Sequence, residues 1–222
     1  MSIELVGLGK LLILFQATEA HRRKLLRDDI RSGIRAAGGL AGSTGGDFYI
    51  PFWADAKGHV AGELDLRRAT EGRIASNDRR SRLYPMLLDG FILWWNAQRR
   101  RTNAPLVIHE DYVKARYPAR GLGTIKVENT LSITVGDLGH QVIYPYFCED
   151  PQLSEEAARV GLWIMSAAIT RYAPEQLSIL DVIAGRSFSV LETPLIGNEE
   201  QLFRTQYAQV LQQWRALQLE YA

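Results

Sequence analysis

Gly123-Thr-Ile-Lys-Val-Glu-Asn-Thr-Leu-Ser-Ile-Thr-Val135 is followed by Gly136-Asp-Leu-Gly139 and then by His140-Gln-Val-Ile-Tyr-Pro-Tyr-Phe147. The first segment alternates. Ile125, Val127, Asn129, Leu131, Ile133 and Val135 fall on one parity, and Lys126, Glu128, Thr130, Ser132 and Thr134 on the other. A period of two over this length predicts a half-buried strand. The Gly-Asp-Leu-Gly stretch is turn chemistry, so the strand folds back onto residues 141–147 as a hairpin. Pro145 has no backbone N–H and limits the second strand's pairing on one side.

Downstream, Ser154 precedes Glu155 and Glu156, an N-cap with acids in the first helical turn. Ala158, Leu162, Met165 and Ile169 recur at helical spacing, and Gly161 permits close approach to a sheet. A short apolar strand is expected at Ile179–Ile183, a turn at Gly185-Arg186 and another strand at Phe188–Leu191. A final helix then runs from Asn198 to about Tyr221. Hairpin, helix and strand in this order give an α+β core.

Upstream, residues 5–35 show helical periodicity through Leu8, Leu11, Leu12, Phe15, Leu25, Leu26 and Ile30, with a solvated, charged second half. Gly38 to Gly46 is a Gly/Ser/Thr linker without a P-loop ending. Asp47 is placed as the cap of a helix reaching Gly62, with Phe48, Phe52 and Trp53 as core and His59 facing solvent. Asp65 caps a helix over Leu66–Asn77, and an apolar helix follows over Leu83–Ala97, read as buried between other elements. Arginines flank it: Arg79, Arg80 and Arg82 before, Arg99, Arg100 and Arg101 after. The second cluster suits the negative end of the helix dipole. It also suits phosphates, with Trp94 and Trp95 as stacking platforms. Pro105–Ile108 and Tyr112–Tyr117 read as short strands, or as a turn of helix leading to one.

The chain's 222 residues suit one domain, with 46% apolar and 23% charged residues and a net charge of +1. Residues 1–104 hold 17 Lys/Arg against 11 Asp/Glu, and residues 105–222 hold 9 against 14. The expected class is therefore α+β. A helical, basic N-terminal half (1–104) packs on a small mixed or antiparallel sheet within residues 105–222, and a C-terminal helix closes the domain. The single cysteine, Cys148, excludes an internal disulfide and reads as a structural thiol in an acidic setting. No signal peptide or membrane span is evident, so a cytoplasmic location is expected.

The order hairpin, helix, strand over residues 123–190 resembles the core of PD-(D/E)XK nucleases. That resemblance implies an acid near Glu128 or Asn129 and a Glu-x-Lys on residues 141–147, the acids holding Mg²⁺ and the Lys assisting the attacking water. Residues 141–147 contain neither acid nor lysine, so the chemistry is lost or moved to Lys126 and Glu128. The segments Asp47-Phe-Tyr-x-Pro-Phe-Trp-Ala-Asp-Ala-Lys57, Val127-Glu-Asn129 and Tyr144-Pro-Tyr-Phe147 are similar to hypothetical proteins of alphaproteobacteria, a resemblance that implies no activity. His109-Glu110-Asp111 reads as polar surface, Gly7-Leu8-Gly9 does not extend to a dinucleotide fingerprint, and no pair of histidines or cysteines has metal-ligand spacing. The leading expectation is a non-enzymatic protein that binds nucleic acid or an acidic protein through Arg79, Arg80, Arg82 and Arg99–Arg101, with no cofactor. The alternatives are a Mg²⁺-dependent nuclease using Lys126 and Glu128, and a subunit of a larger assembly such as a homo-oligomer.

Overall fold

The computed structural model describes residues 3–38, 48–101, 106–108, 113–135 and 139–221. The expected long strand is present but broken. Its first part, β4 (Gly123–Val127), lies at the centre of a three-stranded sheet. There it is parallel to β1 (Leu5–Gly7) and antiparallel to β3 (Ala115–Ala119). Its second part, β5 (Leu131–Val135), belongs to a five-stranded sheet of order β2 (Leu106–Ile108), β5, β6 (His140–Tyr146), β7 (Leu177–Asp181), β8 (Arg186–Ser189). Between the two parts Asn129 has φ of 63°, a left-handed backbone that Asn tolerates better than most residues. Ile125 and Val127 therefore enter one core while Leu131 and Ile133, of the same parity, enter another. The single apolar face read from the alternation is two faces joined by a kink.

The β5–β6 hairpin forms as expected, with Leu131 opposite Ile143 and Thr134 opposite His140. Pairing of β6 with β5 ends at Ile143, whereas parallel pairing with β7 continues through Pro145 to Tyr146. The proline thus sits where its missing N–H is not needed by β5. Pro118 likewise lies on β3, an edge strand, where proline is tolerated. Helix α6 (Glu155–Ala168) is the crossover between the parallel strands β6 and β7. Ser154 caps it, its hydroxyl accepting from the Ala157 N–H at 3.3 Å. A methyl at Gly161 would stand 2.5 Å from Ile179 Cδ1, so glycine lets α6 rest on β7 without displacing that side chain. Strands β7 and β8 begin two residues earlier than the apolar runs predict.

The expected N-terminal helix is three elements. Leu5–Gly7 pair with β4, α1 spans Leu8–Gln16, and α2 spans Glu19–Ala37. The break falls at Ala17-Thr18, where Thr18 accepts from the His21 N–H and starts a new helix. Then come α3 (Ile50–Val60), α4 (Leu66–Ser76) and α5 (Leu83–Arg101), and α7 (Glu199–Gln218) closes the chain. Asp65 caps α4, accepting from Arg68 N–H at 2.8 Å. Tyr49 precedes α3 as its N-cap residue, and the expected cap Asp47 lies outside the described residues, as does most of the Gly38–Gly46 linker.

The helices sort by core, not by position along the chain. Helices α1, α2, α6 and α7 share the larger core with Val142, Tyr144, Leu177, Ile179 and Phe188 of the five-stranded sheet. Helices α3, α4 and α5 cover the opposite face with Leu131, Ile133, Ile143, Leu180 and Val182. The helices of residues 1–104 are thus divided between the two faces. No described helix is long and apolar enough to cross a membrane.

Candidate nucleic-acid interface

Helix α5 positions both arginine clusters. Pro85 lies in its first turn, where a missing N–H costs little. Tyr84, Leu87, Leu88, Phe91, Trp94 and Trp95 are buried at three- and four-residue spacing, whereas Leu93 is 63% exposed. The helix is therefore amphipathic, not buried all round. It lies so close to the segment after β7 that a methyl at Gly90 would stand 2.1 Å from the Val182 carbonyl oxygen and 2.4 Å from that of Ile183. Gly185, with φ of 63°, faces Gly90 across this contact.

The two arginine clusters lie at opposite ends of α5. At about 1.5 Å per residue, Arg82 and Arg99 are about 25 Å apart along the helix. The six arginines therefore do not form one continuous patch. Nor can Trp94 and Trp95 act as stacking platforms. They are 4% and 8% exposed, packed with Phe91 in the smaller core. Two adjacent rings on an amphipathic helix were available to the core first, because burying large apolar area outweighs a solvent-facing role.

The N-terminal end of α5 does bring rings and cations together. Residues 78–80 form a single 3₁₀ turn, with the Asn77 side chain accepting from Arg79 N–H at 3.1 Å. Arg80 folds back onto α4, donating from Nη1 to the Arg73 carbonyl at 3.2 Å and to Ser76 Oγ at 3.3 Å. Its guanidinium carbon lies 5.3 Å from the Tyr84 ring centroid. Arg80 is thus held as scaffold, a cation on the last turn of α4. Arg79 and Arg82 remain exposed. Arg82 reaches Glu149 at 2.8 Å, and among the described residues no carboxylate pairs with Arg79. Close to Arg82, Tyr49 stacks on Phe147, centroids 5.0 Å apart and planes 8° apart, with Phe48 edge-on to Tyr49. Phe48, Tyr49 and Phe147 are half-buried. Burial raises the pKa of Tyr49, the nearby Cys148 adds to the rise, and Arg82 opposes it.

This corner extends down α3. Trp53 packs edge-on to Phe147, donates from Nε1 to the Asn129 carbonyl at 2.5 Å, and lies 5.8 Å from the Lys57 ammonium. Burial lowers the Lys57 pKa to about 8. Asp55 is buried and takes two 2.9 Å hydrogen bonds from Arg73, a bidentate pair that fixes α4 against α3. The aromatic partners of the arginines lie far away in sequence, at 48–49 and 147. Only the folded chain brings them to Arg82.

At the other end, Arg99, Arg100 and Arg101 fan around the last turn of α5, all exposed. Successive residues turn by about 100°, so they do not share a direction. Arg101 faces Glu192 at 3.6 Å.

Lys126 and Glu128 pair at 3.8 Å beside the kink, both partly exposed. One carboxylate with an ammonium this close is not a Mg²⁺ donor set, which needs several oxygens and no competing cation. Among the described residues no three His, Cys, Asp or Glu side chains converge on a metal position. His109-Glu110-Asp111 lies outside the described residues. Tyr144 and Tyr146 of β6 are buried and bonded. Tyr144 Oη accepts from Gly9 N–H at 2.8 Å, and Tyr146 donates to the Pro151 carbonyl at 2.6 Å. Burial pushes the Tyr144 pKa up to about 12. His59 is half-buried, with Nδ1 3.2 Å from the Leu64 carbonyl. The Cys148 thiol donates to the Asp150 carbonyl at 3.2 Å, and burial raises its pKa, the opposite of what reactivity requires.

Compared with known proteins, the chain matches no family model, no curated protein and no solved structure.

Proposed function

We propose that the protein binds single-stranded nucleic acid, without chemistry, at the N-terminal end of α5. Arg79 and Arg82 contact phosphates, and the Tyr49–Phe147 stack takes an unpaired base. One observation carries this reading: the exposed Arg82 guanidinium adjoins a half-buried ring stack, with the exposed Arg79 three residues before it, the pairing of phosphate and base contacts that single strands require. The test is anisotropy titration of labelled single-stranded DNA, single-stranded RNA and duplex over a salt series. The expected result is tighter binding of single strands, weakening steeply with salt, with the slope reduced by about one in Arg79→Ala. Affinity that ignores salt, or preference for an acidic protein over any nucleic acid, overturns it.

The second reading is a metal-dependent nuclease, favoured by the order β5, β6, α6, β7. Lys126 and Glu128 are its candidates, and the donor set does not fit Mg²⁺. Cleavage stimulated by Mg²⁺ or Mn²⁺ and lost in Glu128→Ala would establish it; intact substrate with either metal would remove it.

A further inference from the structure

The C-terminal end of α5 borders a cavity of about 400 Å³ that the binding corner does not use. Its walls come from that end of α5, the start of α6, and β8 with the loop after it. Two features of this rim bear on association. First, among the described residues β8 pairs with β7 alone and is an edge of the five-stranded sheet, its last carbonyl, that of Ser189, taking the Glu192 and Thr193 N–H groups. An exposed edge is a template for another strand. Second, the rim carries two cations and two anions: Arg101 lies 3.6 Å from Glu192, and Arg186 lies 3.4 Å from Glu155. All four side chains are at least half exposed, and both pairs are longer than a good charged hydrogen bond. Such pairs add little to a monomer's stability, and a partner's carboxylate can replace the present one while Arg186 stays over the Phe188 ring, 4.3 Å from its centroid. Large apolar side chains flank this rim in solvent. Leu93, on α5, would touch a methyl at Gly185, and Leu191 follows β8 with 73% of its surface exposed.

We propose that this face docks a second copy of the chain through a two-fold axis, β8 beside β8. A two-fold interface needs a patch complementary to itself. Two arginines and two glutamates meet that condition, because each cation finds the partner's carboxylate when the patch is turned over. A partner of one charge sign would leave half of the rim opposed by like charge. The charge balance therefore selects a copy of the same chain over an acidic or basic ligand. Leu93 and Leu191 supply the apolar contact that the ion pairs alone lack. The proposal is independent of the nucleic-acid reading, since it uses the opposite end of α5.

The test is solution mass by light scattering from low to high micromolar concentration, on the full chain. The wild type is expected to show a concentration-dependent dimer of twice the chain mass. One variant, Arg101→Glu with Arg186→Glu, makes the rim wholly acidic; a second, Glu155→Arg with Glu192→Arg, makes it wholly basic. Each alone is expected to be monomeric, with at least a tenfold rise in the dimer Kd, and an equimolar mixture is expected to dimerise again. Circular dichroism melts establish that both variants fold. If either does not, Leu191→Glu takes its place, expected to leave the melt unchanged and to raise the dimer Kd. A monomeric wild type, a homodimer that survives these substitutions, or a mixture of folded charge variants that stays monomeric overturns the proposal.

Discussion

The two ends of α5 carry the same residue type in opposite company. At the N-terminal end, Arg80 lies over Tyr84, while Arg82 stands beside the Tyr49–Phe147 stack and Arg79 is exposed three residues before it. At the C-terminal end, the neighbouring rings Trp94 and Trp95 are sealed in the core, and Arg101 faces a glutamate. Arginine clustering alone therefore does not define a binding surface. What decides it is whether apolar rings remain partly accessible next to the charges, and here only one end keeps that combination.

The most damaging way to break this comparison is to remove the bar between the ends. Gly90→Ala places a methyl against two carbonyl oxygens that cannot move aside, so α5 must lift from the sheet. A loss of about 3 kcal/mol or more is expected, read from urea denaturation, with both ends affected together. A sharper cut is Tyr49→Ala, expected to weaken single-strand binding by about 1–3 kcal/mol, the value of a stacked base. Arg99→Ala with Arg100→Ala should leave the same titration almost unchanged. An equal effect from both substitutions would erase the distinction between the ends.

A smaller effect tests the half-buried cation of the binding corner. Burial holds the Lys57 pKa at about 8 instead of 10.5. Between those values the unfolded chain binds more protons than the folded one, so Lys57's contribution to stability rises with pH across that window. Below pH 8 both forms are charged and the penalty is constant. Wild type should therefore gain on Lys57→Met as the pH of denaturation is raised from 8 to 10.5. A difference that stays flat shows Lys57 to be solvated. The smallest effect is expected at the other end, where Arg101→Ala should cost less than about 1 kcal/mol, because its pair with Glu192 is loose and exposed.

Sequence periodicity reaches as far as local physics does. Asp65 and Ser154 are legible as caps because a capping side chain acts within three residues. The buried stripe Ala158, Leu162, Met165 and Ile169 is legible for the same reason. Thr18 carried the same signal, yet apolar periodicity on both sides of it hides the break between α1 and α2. The kink at Asn129 was invisible to alternation, since Ile125, Val127, Leu131 and Ile133 keep one parity throughout. Only the polar run Glu-Asn-Thr interrupting the apolar parity marks it. The binding corner was half legible. Arg79 and Arg82 stand out in the chain, but Phe147 reaches Tyr49 only through packing of the sheet against α3.

The left-handed residue at position 129 has a mechanical consequence. One stretch of backbone, kinked at Asn129, is anchored at one end among α1, α6 and α7 and at the other beneath α3 and α5. Neither layer can melt without dragging on a strand that the other still grips. The molecule should accordingly lose its slowest-exchanging amides from β4 and β5 in a single step, even though their side chains never meet in the same interior.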